Sequence, residues 1–416
     1  MSISISITDT ASPDTPAHAI PSLSSEYFRS PIPLTVFPRH TVVSHPHFAK
    51  ADPGWDCCGN ETYILLSIML IQENVPLAPL TTLKVGGPAR YFVEAKTNSE
   101  VHDAVAYARA QGLPFFILGG GSNLVVSDAG WPGLVLKVSI PAIEEHDEDG
   151  KVVFEVGAGV DWDKFTARAV ARNCAGVECM SGIPGSVGGT PVQNVGAYGQ
   201  EVAETIDSLQ ALDLRDGEVR ELCNQACGFA YRTSIFNTTE RGRYIILRVS
   251  YALTPGGEPH IAYADLKKYF AGRTSKPSLA ETREAVRQIR ASKAMLIVPG
   301  DEDCRSAGSF FKNPVLSAEQ YRELIERAAA RGLQVPSYPA LDAQKKISAA
   351  WLVERSGYSK GYSSGPVGIS RKHALAIVNR GRATAADVLA LKEHIQDRVQ
   401  EIWGIRLEPE PVLLGF

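Results

Sequence analysis

Phe115-Phe116-Ile117-Leu118 runs directly into Gly119-Gly120-Gly121-Ser122-Asn123, and the reading of that junction decides the fold. The apolar run reads as a strand. Three consecutive glycines at its end let the backbone turn sharply and bring its N–H groups towards an anion. Ser122 and Asn123 add side-chain donors, a chemistry that suits a pyrophosphate; a plain structural turn is the alternative. The spacing is not Gly-x-Gly-x-x-Gly, so a doubly wound dinucleotide site is not indicated.

Upstream, Asn98 to Gly112 places Val101, Ala104, Val105 and Ala108 at helical spacing and closes on a glycine. Downstream, Leu134–Val138 and Val152–Val156 read as strands, the second leading through Gly157 and Gly159 into a helix from about Asp161 with Trp162 and Phe165 facing inward. A second glycine segment follows, Ser181-Gly-Ile-Pro-Gly-Ser-Val-Gly-Gly-Thr-Pro-Val-Gln-Asn-Val-Gly-Ala-Tyr-Gly199, in which helix and strand patterns both fade. Loops of this length inside domains are usually functional. Gly188 and Gly189 permit close backbone approach, and Ser186, Thr190, Gln193 and Asn194 offer polar groups to a phosphate or a heteroaromatic ring; a turn-rich surface loop is the alternative. Two such segments separated by a helix and strands suggest a large cofactor lying across a sheet.

Strands at Ser208–Leu214 and Arg243–Tyr251 follow, then a mixed segment to about Arg290. Ser317 and Gln320 form a capping box ahead of Tyr321, Leu324, Ile325 and Ala328. A last helix, about Asp387 to Trp403, has Val388, Leu391, Ile395, Val399 and Ile402 on one face. The alternation predicts an α+β protein.

The chain has 416 residues, room for two or three domains, and its 42 Lys plus Arg against 46 Asp plus Glu leave a formal charge of −4. Nothing there suggests a polyanion-binding surface. No apolar run reaches the ~18 residues of a membrane span, and the start lacks a secretory pattern. The seven cysteines, without paired Cys-x-x-Cys spacing, read as reduced thiols in a cytoplasmic protein, and no four ligands at metal-like spacing occur. Residues 1–68 hold ten Ser and eight Pro but only nine charged residues. They are expected to form a flexible extension, or to precede a true start at Met69.

Three further stretches carry chemistry. In Tyr231-Arg-Thr-Ser-Ile-Phe236, Arg232 is either a surface cation or the fixed charge that meets a carboxylate or enolate, because guanidinium matches two oxygens. In Ser306-Ala-Gly-Ser-Phe-Phe-Lys-Asn-Pro314 no nucleophile elbow is present, so a serine hydrolase is not indicated; the Ser309 hydroxyl could instead give a proton to a carbanion. Leu407-Glu-Pro-Glu-Pro-Val412 places two carboxylates around a proline, and in an extended segment only one can point inward.

Taken with Thr82-Leu-Lys-Val-Gly-Gly87, these motifs resemble, in order and from about Asn74 to the C-terminus, the UDP-N-acetylenolpyruvoylglucosamine reductase family. That resemblance implies a two-lobed FAD-binding domain of the vanillyl-alcohol-oxidase type followed by a smaller α+β substrate-binding domain. The divisions it implies are 69–142 and 143–293 for the lobes, 294–403 for the substrate domain and 404–416 for a returning tail.

The same resemblance implies noncovalent FAD contacted by Gly119, Gly120, Gly121, Ser122 and Asn123, and by Ile183, Pro184, Gly185, Ser186, Gly188, Gly189, Thr190, Gln193, Asn194, Gly196, Ala197 and Tyr198. NADPH is the implied reductant, and the enolpyruvyl ether of UDP-N-acetylglucosamine the substrate. The resemblance further implies that Arg232 stabilises developing negative charge, that Ser309 donates the proton and that Glu410 assists Arg232, with Glu408 turned outward. Tyr231, Tyr263, Lys293, Asn313, Tyr338, Lys346 and His373 stand at positions that meet the substrate. Two departures are visible: Ala294–Arg305 is longer than the usual connection, and His373 stands where some members carry an amide. No metal is implied, and a monomer is expected. A flavin oxidase would need none of the serine, arginine and glutamate set, and a non-catalytic nucleotide binder would have lost it.

Overall fold

Pro88–Ala95 and Trp131–Val138 lie side by side at the centre of a four-stranded sheet, with Val93, Leu134 and Leu136 in one hydrophobic cluster and Phe92 and Val135 in another. The computed structural model describes residues 36–43, 63–340 and 343–416. The sheet runs Gln72–Pro76, Pro88–Ala95, Trp131–Val138, Phe115–Leu118, with the first pair antiparallel and the rest parallel. The helix Asn98–Ala110 supplies the crossover; the Thr97 side chain accepts from the Glu100 N–H at its start, and Val101, Ala104, Val105 and Ala108 are buried as their spacing predicts.

The second lobe is an antiparallel sheet ordered Val219–Cys223, Ile206–Asp213, Tyr244–Pro255, Lys151–Gly157, Ile143–Glu148. The helix Trp162–Ala171 packs on it. Asp161 caps that helix by accepting from the Lys164 N–H, and Trp162, Phe165, Phe154 and Tyr251 stack into one fully buried aromatic cluster. Residues of both sheets, such as Leu134 with Phe154 and Val249, belong to one continuous hydrophobic core. The two lobes therefore share their stabilisation.

A second core holds the C-terminal part, where the helices Ala318–Ala329, Ala349–Arg355 and Ala385–Trp403 cover two small antiparallel sheets. The Ser317–Gln320 capping box is formed, and Val388, Leu391, Ile395 and Val399 are buried along the last helix. Ile325, expected on the inner face of its helix, is 36% exposed, and Leu324 and Ala328 carry that face instead. Leu83, Val85 and Val125 of the first lobe also pack into this core. The Asp128 carboxylate accepts from the Ala385 and Ala386 N–H groups, so the first lobe caps the last helix. The chain then returns: Val412–Leu414 pairs in parallel with Leu124–Val126, immediately after the first glycine loop.

Two expectations fared differently in detail. The segment before Arg290 contains a regular helix, Leu279–Ser292, opened by a Ser278–Glu281 capping box. The boundary expected at Met69 lies inside a strand, Tyr63–Leu70, which pairs antiparallel with Val36–Val43; the remainder of residues 1–68 lies outside the described residues. Cys174, Cys179, Cys223, Cys227 and Cys304 are free thiols. Among the described residues, no helix is long and apolar enough to cross a membrane.

Candidate active site

The two glycine segments meet backbone to backbone. A Cβ on Gly120 would stand 2.4 Å from the Gly185 Cα, and one on Gly119 would stand 2.9 Å from the Ser186 Oγ. Their glycines are thus required first for the loops to touch. The second loop is pinned to the helix start behind it, with Gly185 accepting from the Trp162 N–H at 3.0 Å and Val187 donating to the Val160 carbonyl at 2.8 Å.

Carbonyl orientation in the first loop is set from below. Thr82 donates its N–H to the Gly121 carbonyl at 3.1 Å, and its hydroxyl lies 3.3 Å from the Ser122 carbonyl and 2.6 Å from that of Ser306. Among the described residues, the backbone N–H groups of Gly120, Gly121, Ser122 and Asn123, and those of Gly185 and Ser186, take no internal partner. Free N–H groups on two glycine loops that touch suit a pyrophosphate, so the residues present fit FAD.

Not every polar group of the second loop is available. The Thr190 hydroxyl lies 2.8 Å from both the Val187 carbonyl and the Tyr251 hydroxyl. Asn194, 1% exposed, donates to Glu201 and the Ala230 carbonyl and accepts from the Ala203 N–H. These two side chains are internal to the fold.

Tyr231 and Arg232 form the tip of a tight turn closed by reciprocal hydrogen bonds between Ala230 and Thr233. Arg232 has φ +55°, a left-handed conformation that glycine ordinarily supplies. Its guanidinium donates to the Gly196 carbonyl at 2.9 Å and lies 3.3 Å from a Glu410 carboxylate oxygen. The returning tail carries Glu410 there: its N–H donates to the Phe310 carbonyl at 2.9 Å, and the Lys312 N–H donates to the Glu408 carbonyl at 3.0 Å. Glu410 points inward, and the Glu408 side chain is 77% exposed, as alternation along an extended segment requires. Burial raises the Glu410 carboxyl, with Arg232 and Lys312 opposing.

Ser309 lies between Gly308 and the buried Phe310, next to the residue that receives the Glu410 N–H. Tyr231 is flanked by the Asn313 side chain and by the Lys346 ammonium, 4.4 Å from its ring centroid, and burial raises its phenol. Tyr338 stands opposite Lys346 in the neighbouring strand and is 56% exposed.

The other expected contacts gather in a second cluster. The Tyr198 and Tyr263 rings meet edge to face at 5.4 Å, and Lys293 Nζ is 2.6 Å from Asp265. His373 is pushed down to about 4, first by burial and then by Lys293, Lys360 and Arg290. Arg290 is buried, donates to the Met295 carbonyl at 2.6 Å, and leaves its Nε without a partner. Burial also pushes Tyr198 up to about 12. The hairpin Gly196–Ala197 with Gln200–Glu201 joins the clusters, with Gly196 meeting Arg232 and Tyr198 meeting Tyr263.

Sequence reasoning missed Arg290 and Lys360. Arg290 lies three residues before Lys293, the spacing of neighbours on a helix face, and that spacing was its available signal.

Known proteins resemble the chain over most of its length. Residues 299–414 match the family model of the UDP-N-acetylenolpyruvoylglucosamine reductase C-terminal domain, and residues 89–222 match that of an FAD binding domain. A UDP-N-acetylenolpyruvoylglucosamine reductase of Thermobifida fusca is 46% identical over 350 residues, covering 82% of this chain and 98% of its own. That of Nocardia farcinica is 44% identical over 387 residues, covering 90% and 98%. The crystal structure of the Thermus caldophilus reductase aligns with TM-score 0.57 at 27% identity, covering 83% of this chain and 99% of that one.

Proposed function

The chain belongs to the UDP-N-acetylenolpyruvoylglucosamine reductase family of FAD-dependent oxidoreductases, and from that premise we propose that it uses NADPH to reduce the enolpyruvyl ether of UDP-N-acetylglucosamine to UDP-N-acetylmuramate. In this reading residues 69–142 and 143–293 hold the flavin, 294–403 hold the nucleotide and 404–416 deliver Glu410. NADPH and one proton are consumed; hydride adds to the terminal methylene carbon and the proton to the adjacent ether carbon. The two glycine loops would hold FAD, which would supply the hydride-relay chemistry when bound.

The protein's own groups manage the charge that results. Hydride addition at the methylene sends an electron pair towards the substrate carboxylate, and the Arg232 guanidinium is a fixed donor for that enolate-like charge. Its Gly196 and Glu410 partners keep the fork oriented before substrate arrives. Ser309 supplies the proton from its hydroxyl. Tyr231, Asn313 and Lys346 line the reacting end, while Tyr263, Lys293 and His373 line the cluster that would take the nucleotide's phosphates and base.

The observation that carries the reading is the tail held between the Asn123 and Phe310 carbonyls, which brings Glu410 to Arg232 and pairs it with the residue that follows Ser309. The test is direct. Purified protein should be yellow with bound flavin and should oxidise NADPH in proportion to added enolpyruvyl nucleotide. Protein without flavin, or NADPH oxidation that follows oxygen and ignores the nucleotide, would end the proposal.

A further inference from the structure

The Asn123 side chain spends its donors on the protein. A carboxamide has two N–H donors, and those of Asn123 lie 2.8 Å from Gln193 Oε1 and 3.2 Å from the Glu410 main-chain carbonyl. The amide orientation follows from chemistry, since a main-chain carbonyl only accepts. The Asn123 carbonyl in turn accepts from the Val412 N–H at 3.0 Å, so Asn123 grips the tail on both sides of Pro411. What remains on its side chain is Oδ1, an acceptor, which repels phosphate oxygens. Its backbone N–H stays free for an anion.

We propose that Asn123 is a positioning residue for Glu410: its side chain fixes the tail that aims the carboxylate at Arg232, and does not itself bind the cofactor. The inference rests on the role given to Glu410 in the proposed function. Its consequence is that one loop performs two tasks, with free N–H groups offered to a pyrophosphate on one side and the catalytic carboxylate held from the other. Gln193, from the second glycine loop, completes the grip by accepting the other amide N–H. Formation of the paired loops and placement of Glu410 are then a single structural event.

The experiment uses the full-length holoprotein with Asn123→Ala, and Asn123→Ser as the milder variant should Ala prevent folding. Three readouts are taken: FAD affinity by flavin fluorescence, titration of the Glu410 carboxyl by carbon NMR of labelled glutamate with Glu410→Gln for assignment, and the two half-reactions under anaerobic conditions. FAD affinity should change by no more than about threefold, since no side-chain contact to it is lost. The Glu410 titration, governed by burial with Arg232, Lys312 and Tyr231 beside it, should move. Re-oxidation of flavin by the enolpyruvyl nucleotide should slow at least about tenfold more than its reduction by NADPH.

An FAD affinity loss of about tenfold or more with an unmoved Glu410 titration would make Asn123 a cofactor ligand and overturn the proposal. If Glu410→Gln re-oxidises at the wild-type rate, the role given to Glu410 fails instead. The NMR titration still decides whether Asn123 places that side chain: a moved titration supports the placement and an unmoved one refutes it.

Discussion

The two clusters of the candidate site are built on opposite electrostatic plans. At the Arg232 end the cations meet carboxylates or an aromatic face: the guanidinium lies against Glu410, Lys312 against Glu408, and Lys346 over the Tyr231 ring. At the Lys293 end Arg290, Lys293 and Lys360 surround a neutral His373, and Asp265 is the carboxylate paired with Lys293. A balanced cluster is suited to charge that appears only during reaction, because its donors are already oriented and uncommitted charge is small. A cation-rich one is suited to charge the ligand carries throughout, such as a diphosphate. Substitutions at the first end should therefore alter turnover, and those at the second should alter binding.

The largest expected effect is at Arg232. Arg232→Gly should slow nucleotide-dependent flavin re-oxidation by about a thousandfold. The same change relieves the φ +55° of a non-glycine residue, so chemical denaturation should show stability altered by no more than about 1 kcal/mol. A large stability loss would mean that the turn, and not the charge, is what Arg232 serves. Glu410→Gln should follow, slowing re-oxidation about a hundredfold, with KM for the nucleotide nearly unchanged; a change confined to KM would move Glu410 to the binding end. At that end, Lys293→Ala should raise the nucleotide KM about tenfold at similar kcat, and an equal fall in kcat would erase the distinction.

The smallest effect is in stability. His373 titrates near 4 in the folded protein against an ordinary value of 6.5, so between those pH values the unfolded chain binds more protons. Stability should then decline as pH falls from 6.5 to 4, by on the order of 2 kcal/mol from this group. His373→Gln should flatten that part of the profile, read from denaturant midpoints; an unchanged slope would place the acid sensitivity elsewhere.

Local physics made much of this legible in the sequence. Thr97, Asp161 and Ser317 cap the helices their spacing announces; for Glu408 and Glu410 the sequence pattern allowed only one inward carboxylate, and the family resemblance picked Glu410. The Leu279–Ser292 helix was obscured because its buried face includes Thr282 and Arg290, which dilute the apolar period. The glycine loops were recognisable as loops, but Gly120 proved to be needed for contact with Gly185. Thr190, Asn194 and Asn123 looked like ligand donors, and their hydrogen bonds to Tyr251, the Ala230 carbonyl and the Glu410 carbonyl depend on partners distant in sequence. A residue type announces what it can donate, and only the fold decides to whom.

The most direct test of the account is an anaerobic two-step experiment on Ser309→Ala, following flavin absorbance. The account predicts flavin reduction by NADPH near the wild-type rate and re-oxidation by the enolpyruvyl nucleotide slowed by about a hundredfold or more. Equal slowing of both steps, or no slowing of the second, would contradict it.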